Sequence, residues 1–194
     1  DSYYPGANGQ KAYNLLHINA MYDLLQHTYT DAVIQKSRNS DESGALTDMV
    51  DRSGIEQALL LADRNYESYN NLAHIQEKGW YFLIRIKDHT AGIVSGLILP
   101  DKDEYDVPFH LHLTRKQTNN VKQLLKDKNH YKLIASNQRF DYLPQTSRKR
   151  DPAVFYDLTF RIVRFPISDT TCETVITNLN ADQYPLPEIE QLYA

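Results

Sequence analysis

Residues 58–87 read ALLLADRNYESYNNLAHIQEKGWYFLIRIK and predict the unit around which the fold is built. Their first five residues form a short apolar run, which is typical of a strand buried on both faces. Apolar positions then recur at helical spacing from Tyr69, and Gly79 stands where a helix commonly ends. From Trp80 onward, apolar and aromatic residues alternate with a period of two. The stretch therefore predicts a strand, a helix and a second strand.

A charged pair, Asp63 and Arg64, ends the first of these strands. Functional residues of open α/β sheets collect at the carboxyl ends of strands, which makes Asp63 a candidate for a site. An acidic residue in this position also commonly caps the helix that follows it. Position alone leaves both interpretations open.

The composition is that of a globular protein. The chain has 194 residues, of which 41% are hydrophobic and 24% charged, so it can bury one good core or a core with a smaller insert. Its apolar runs are too short to span a membrane and no signal peptide is recognisable, so we expect no membrane partner and a cytoplasmic location. The single cysteine, Cys172, fits a reducing compartment.

Basic residues are unevenly distributed along the chain. The net charge is −4, yet residues 114–150 hold ten Lys or Arg and only two acids. Such a locally basic segment is typical of a surface that contacts phosphates, although a solvated basic helix and loop would have the same composition. A helix predicted over 114–126 would direct its basic residues largely outward. The candidates for contacts to a nucleic-acid backbone are Arg115, Lys116, Arg148, Lys149 and Arg150.

Periodicity predicts most of the remaining elements. Residues 1–11 contain Pro and two Gly and are predicted to be irregular, and 13–24 and 28–37 form an antiparallel pair of strands. A helix capped by Asn39 follows and ends by Gly54. Further strands are predicted at 105–113, 131–136, 155–167 and 172–178, with a last helix from Pro187.

Three histidines lie on predicted strands. His110 and His112 would share one face of the sheet and could bind zinc, but the sequence shows no third ligand. His17 is flanked by apolar residues, and a hydrogen-bonded histidine of the sheet explains it better than a ligand does.

The stretch LLLADRNYESYNNLAHIQEKGWYFLIRIKD resembles the second-aspartate block of bacterial insertion-sequence transposases of the DDE superfamily. The resemblance continues through YNLLHINAMYD, LHLTRKQTNNVK, FRIVRFPI and TNLNADQYPLPEIEQLYA. It implies an α/β fold of the RNase H-like type, with a mixed sheet, flanking helices and a missing first strand. The core would comprise residues 1–88 and 180–194, and a β-rich insertion subdomain would comprise 89–179.

The resemblance also implies a function, which is metal-dependent DNA cleavage and strand transfer at transposon ends. Asp63 corresponds to the second of the three carboxylates, Asp, Asp and Glu, that hold the metal ions, so it would be both catalytic and a metal ligand. Tyr193 corresponds to the first residue of the Tyr-Arg-Glu-Lys signature and would contact DNA, although a helical tyrosine by default only packs. Arg64 would contact a DNA phosphate or hold a core carboxylate.

The first Asp and the Arg, Glu and Lys of that signature have no counterpart in residues 1–194. We therefore expect the chain alone to be inactive, and Mg²⁺ or Mn²⁺ to bind only with the complete triad. The expected partners are transposon-end and target DNA, and a homodimer is an option for the full-length protein. Two alternatives stay open: a different RNase H-like nuclease and a non-catalytic nucleic-acid-binding module.

Overall fold

The computed structural model describes residues 2–6, 8–87, 92–145 and 150–193. The chain divides into two compact units, Asp1–Ile55 and Glu56–Ala194. None of the described helices is long and apolar enough to cross a membrane.

The first unit is a three-stranded antiparallel sheet with one helix. Its strands are β1 (Ser2–Tyr4), β2 (Tyr13–Asp23) and β3 (Thr28–Lys36), in that order, and α1 spans Glu42–Arg52. The predicted pairing of β2 with β3 is confirmed. Residues 2–4, which were expected to be irregular, instead pair with β2. A run of three residues is too short to show a period, and the Tyr4 ring stacks on Tyr13 with 5.3 Å between centroids.

The N-cap of α1 lies two residues later in the chain than predicted. The Asp41 carboxylate accepts a hydrogen bond of 2.8 Å from the Gly44 backbone N–H, so Asp41 is the cap and Asn39 is not. Asn39 instead ends a 3₁₀ turn, Ser37–Asn39. The helix buries an apolar stripe on one face: Leu46, Met49 and Val50.

The second unit is a six-stranded mixed sheet with helices, which confirms the predicted α/β class. The strand order is β4-β5-β9-β8-β6-β7; β4 pairs parallel with β5, β6 pairs parallel with β7, and the other pairs are antiparallel. The strands are β4 (Leu59–Ala62), β5 (Tyr81–Arg85), β6 (Tyr105–Thr114), β7 (Tyr131–Leu133), β8 (Tyr156–Ser168) and β9 (Thr171–Thr177). The helices are α2 (Tyr69–Glu77), α3 (Asn119–Leu124) and α4 (Leu186–Tyr193), and 3₁₀ turns occur at Arg64–Tyr66 and Gly92–Val94.

The strand–helix–strand unit predicted from residues 58–87 is present as β4, α2 and β5. Gly79 has φ +76°, and its N–H donates to Gln76 O while Trp80 N–H donates to Ile75 O. These two bonds define the glycine-dependent helix end known as a Schellman motif. The predicted inner face of the second strand is buried throughout: Trp80, Phe82, Ile84 and Ile86.

Burial of β4 on both faces was predicted, and this is wrong. Leu60 is buried but Leu61 is 43% exposed. In the described part of the chain β4 lies at the end of the strand order and has β5 as its neighbour. An edge strand has fewer elements packed over it, so an apolar run need not mean two covered faces.

The strands of the predicted insert lie in the same sheet as β4 and β5. Strand β9 pairs with β5 through Leu83↔Thr177, Ile84↔Ile176 and Arg85↔Val175. The boundary between the two compact units lies near residue 55. The predicted subdomains, a core of residues 1–88 and 180–194 and an insert of residues 89–179, stay a prediction.

The helix predicted over residues 114–126 is much shorter in the structure. Strand β6 continues to Thr114, and α3 comprises only Asn119–Leu124. The Thr118 hydroxyl caps α3 by accepting a hydrogen bond from the Val121 N–H. Residues 115–117 therefore lie in a loop.

Candidate functional site

Asp63 follows β4 directly and has an exposed side chain. Its backbone carbonyl accepts from the Tyr66 N–H in the turn that follows, but its side chain makes no capping hydrogen bond. Ser68 caps α2 instead, since its hydroxyl accepts from the Asn71 N–H at 3.1 Å. The capping interpretation of Asp63 is therefore wrong, and its carboxylate has no structural task at the start of a helix.

Arg85 ends β5 beside Asp63. Ala62 pairs with Ile84 in the parallel register, so Asp63 and Arg85 follow at neighbouring carboxyl ends. The pKa of Arg85 is raised, chiefly by its hydrogen bond to Glu173 and to a smaller extent by the charge of Asp63. Asp63 and Arg85 thus belong to one electrostatic environment.

Glu173 links Arg85 to the last helix. Its Oε1 lies 2.8 Å from Arg85 Nε, and its Oε2 accepts a hydrogen bond of 2.9 Å from the Tyr193 hydroxyl. Glu173 is only 6% exposed. Burial and then the bond to Glu173 raise the pKa of Tyr193, with a further contribution from the charge of Asp63. The Tyr193 hydroxyl is therefore directed at a carboxylate, and its predicted contact to DNA stays a prediction.

Packing of α4 places Tyr193 there. Ile189 is fully buried in a cluster with Val163, Phe165 and Val175, and the Tyr193 ring meets Phe165 edge-on at 5.7 Å between centroids. Arg85 and Glu173 were not predicted from the sequence. Both interrupt apolar strands with a charge, and that pattern was the signal that could have identified them.

A pair of divalent ions needs several oxygen ligands, and Asp63 supplies one carboxylate. Within the described ranges, Asp63 belongs to no group of three His, Cys, Asp or Glu residues whose ligand atoms come together. Glu173 is already bonded to Arg85 and Tyr193. The described residues therefore do not form a complete site for a metal pair.

Two of the five basic candidates for contacts to a nucleic-acid backbone have other surroundings than expected. Lys116 was expected to point outward from a helix, but it lies in a loop and is 6% exposed, so that expectation is wrong. Arg115 donates to the backbone carbonyls of Ala135 and Gln138, at 2.6 and 2.7 Å. Its guanidinium fastens the loop that contains these residues.

The other basic candidates are exposed where the structure describes them. Arg64 and Arg150 have exposed side chains. Arg148 and Lys149 lie outside the described residues. Arg161, in contrast, is buried, and it donates to Asp106 and to the carbonyls of Leu179 and Tyr184, so it serves the fold.

His110 and His112 share a face of β6, as predicted, with 4.9 Å between their ring centroids. Asp157 on β8 supplies the third potential ligand that the sequence did not show. His17 is hydrogen-bonded rather than isolated, with its Nε2 3.4 Å from Asn19 Oδ1.

Comparison with known proteins gives one family. The sequence model described as "Transposase DDE domain" matches residues 1–194, which is the whole chain. The mixed α/β sheet with its helices is consistent with the RNase H-like fold of such domains. The comparison with curated protein sequences gives no match.

Proposed function

We propose that this chain, which belongs to the family of transposase DDE domains, takes part in DNA cleavage and strand transfer at transposon ends, with Asp63 as one of the catalytic carboxylates. One observation carries this assignment: Asp63 is an exposed carboxylate at the carboxyl end of β4, which pairs in parallel with β5 at one edge of the described sheet, and it has no capping role. Functional groups of α/β sheets collect at such ends.

Transposases of this class use divalent metal ions, and Mg²⁺ or Mn²⁺ is our proposal for this one. Such ions activate the attacking oxygen and stabilise the leaving oxygen of a phosphodiester. One carboxylate cannot hold two metal ions against their hydration, and among the described residues Asp63 belongs to no group of three such ligands. We therefore infer that residues 1–194 alone do not cleave DNA.

The residues around Asp63 support its proposed catalytic role in two ways. Glu173 balances the charge of Arg85 and fixes the Tyr193 hydroxyl, which keeps this end of the sheet ordered. Arg85 keeps an exposed part of its side chain and can offer a remaining N–H to a DNA phosphate.

For backbone contacts to DNA we propose Arg64 and Arg150, which are exposed, together with Arg148 and Lys149. Arg115 and Lys116 fit this role less well, because one is bonded to loop carbonyls and the other is buried. Phosphate contacts release counterions, so binding of a short duplex should weaken steeply as salt rises. Binding that does not depend on salt, or its absence at low salt, would contradict this part of the proposal.

Three finer points complete the proposal. The resemblance of residues 58–87 to insertion-sequence enzymes supports a bacterial insertion sequence as the source of the gene. DNA is then the substrate, and the enzyme acts in the cytoplasm. The full-length protein would work as a homodimer on paired ends.

An excision reporter separates the proposal from its two alternatives. The complete coding sequence that includes residues 1–194 is expressed beside a marker flanked by the ends of the candidate element. A transposase excises the marker and inserts it elsewhere, a nuclease of another kind only breaks the DNA, and a binding module does neither. Recovery of inserted markers supports the proposal, and breakage without insertion overturns it.

A further inference from the structure

We propose that His110, His112 and Asp157 form a binding site for one zinc-like divalent cation on the exposed face of the sheet. The site lies on β6 and β8, and none of its residues takes part in the network of Asp63, Arg85, Glu173 and Tyr193. It is therefore independent of the proposed catalytic role of Asp63.

The sheet brings the three ligands together. His110 and His112 are two residues apart on one strand, so their side chains point to the same face. In the antiparallel register His112 lies opposite Asp157 and His110 lies opposite Thr159. The ligand atoms of the two histidines and Asp157 all lie within 4.8 Å of one another. Rotation of these side chains would bring the three ligand atoms to one ion.

The donor set selects the class of metal. Two imidazoles and a carboxylate are a common ligand set of zinc, in which water or another ligand takes the fourth position. Mg²⁺ and Ca²⁺ prefer oxygen ligands alone and are disfavoured by two nitrogen donors. The site should therefore take Zn²⁺ and discriminate against Mg²⁺.

Neighbouring groups hold the histidines in place. The His110 Nδ1 lies 2.8 Å from the Thr159 hydroxyl, a contact of the kind that orients a metal-binding imidazole. The His112 Nδ1 lies 2.6 Å from Asp157 Oδ1, so a proton shared between them would give way to the ion. The Tyr131 ring packs on the His112 ring with 5.0 Å between centroids and limits its rotation.

Solvent can deliver the ion. Asp157 has 59% of its side chain exposed and His112 has 29%. The part of the chain that the structure describes holds no other group of three such ligands, and the pair His130 and Asp127 has only two, 2.9 Å apart. His130 therefore provides a matched control, as an exposed histidine with a carboxylate partner and no third ligand.

The test is calorimetric titration of the untagged 194-residue chain with zinc chloride. We expect one Zn²⁺ per chain, and binding that is at least about tenfold weaker in His110→Ala, His112→Ala and Asp157→Asn. His130→Ala and Asp63→Asn should bind as the unchanged chain does. Magnesium chloride at the same concentration should give no comparable heat.

Histidine ring resonances of the unchanged chain give a second measurement that does not depend on any variant. Zinc should shift the resonances of His110 and His112 and leave those of His130 in place. Absence of binding at one equivalent, or binding that survives both histidine substitutions, overturns the proposal. An equal loss in His130→Ala, or a selective shift of the His130 resonances, also overturns it.

Discussion

Glu173 is a buried carboxylate with two partners, and its removal tests the network beside Asp63. Replacing it with Ala leaves Arg85 and the Tyr193 hydroxyl without their common acceptor. Hydrogen bonds to charged groups are worth more than neutral ones, but Arg85 is partly exposed and water can replace some of the loss. We expect Glu173→Ala to lower the free energy of unfolding by about 2 kcal/mol in urea titrations.

Glu190→Ala is the matched control for this prediction. Glu190 lies on α4, as Tyr193 does, but its side chain is exposed. Its substitution should change the free energy of unfolding by less than about 0.5 kcal/mol. Equal losses in the two variants would mean that the network beside Asp63 contributes nothing of its own.

At the scale of single residues, the sequence identified the candidate carboxylate but not its surroundings. Asp63 could be found because a strand end is visible in the hydrophobic pattern. Arg85 and Glu173 meet only through strand pairing between residues far apart in the chain, which periodicity does not encode. Lys116 was misplaced because helical projection was applied to a residue that lies in a loop.

The end of α2 depends on a glycine at a left-handed position. Gly79 has φ +76°, where a side chain costs about 1 kcal/mol because of contact with its own backbone. We expect Gly79→Ala to lower the free energy of unfolding by that amount. The measurement is urea denaturation followed by circular dichroism.

Gly54 offers the control for that substitution. A Cβ at this residue would meet nothing within 4 Å, and its φ lies outside the left-handed region. Gly54→Ala should therefore be neutral or slightly stabilising. A Gly79→Ala variant as stable as Gly54→Ala would show that α2 does not end in the hydrogen-bonded turn described above.

Asp141 ties a loop to α2 and makes that contact pH-dependent. Its Oδ2 accepts from Asn70 Nδ2 at 2.9 Å and lies 3.0 Å from His74 Nε2. Burial raises the pKa of Asp141, but the bonds to Asn70, His74 and Arg139 outweigh it and hold the pKa below its ordinary value of 3.8. The unfolded chain thus binds a proton at Asp141 more readily than the folded chain does.

The pH dependence follows from that sign. The stabilisation by Asp141 is fully present above the ordinary carboxyl pKa and is lost as the pH falls through the lowered value. We expect Asp141→Asn to be less stable than the unchanged chain at about pH 7, with the difference shrinking toward about pH 3. Urea titrations across this range measure it. A difference that grows on acidification would contradict the direction of the shift.

At the scale of the whole molecule, the local hydrophobic pattern predicted individual helices and strands but not how distant strands pair. The unit β4–α2–β5 followed from residues 58–87, since its apolar runs and its glycine are local signals. The joining of β9 to β5 could not be predicted, because pairing across about ninety residues leaves no periodic trace. The third ligand beside His110 and His112 was missed for the same reason.

The incomplete ligand set that the described residues offer Asp63 makes a prediction for the chain as a whole. Purified residues 1–194 should not nick supercoiled DNA that carries the transposon ends, in Mg²⁺ or in Mn²⁺, because one carboxylate cannot hold two metal ions. Gel electrophoresis of the plasmid measures this. Nicking that disappears in Asp63→Asn would show that further ligands are present and that the description of the site is wrong.

Cleavage at the transposon ends by the product of the complete coding sequence tests the role of Asp63 most directly. Asp63→Asn keeps the size of the side chain and removes its charge, and Asp169→Asn does the same at an exposed turn between β8 and β9. We expect Asp63→Asn to lower the cleavage rate by at least about a thousandfold while end binding persists, and Asp169→Asn to cleave normally. Cleavage by Asp63→Asn at the rate of Asp169→Asn would contradict this expectation.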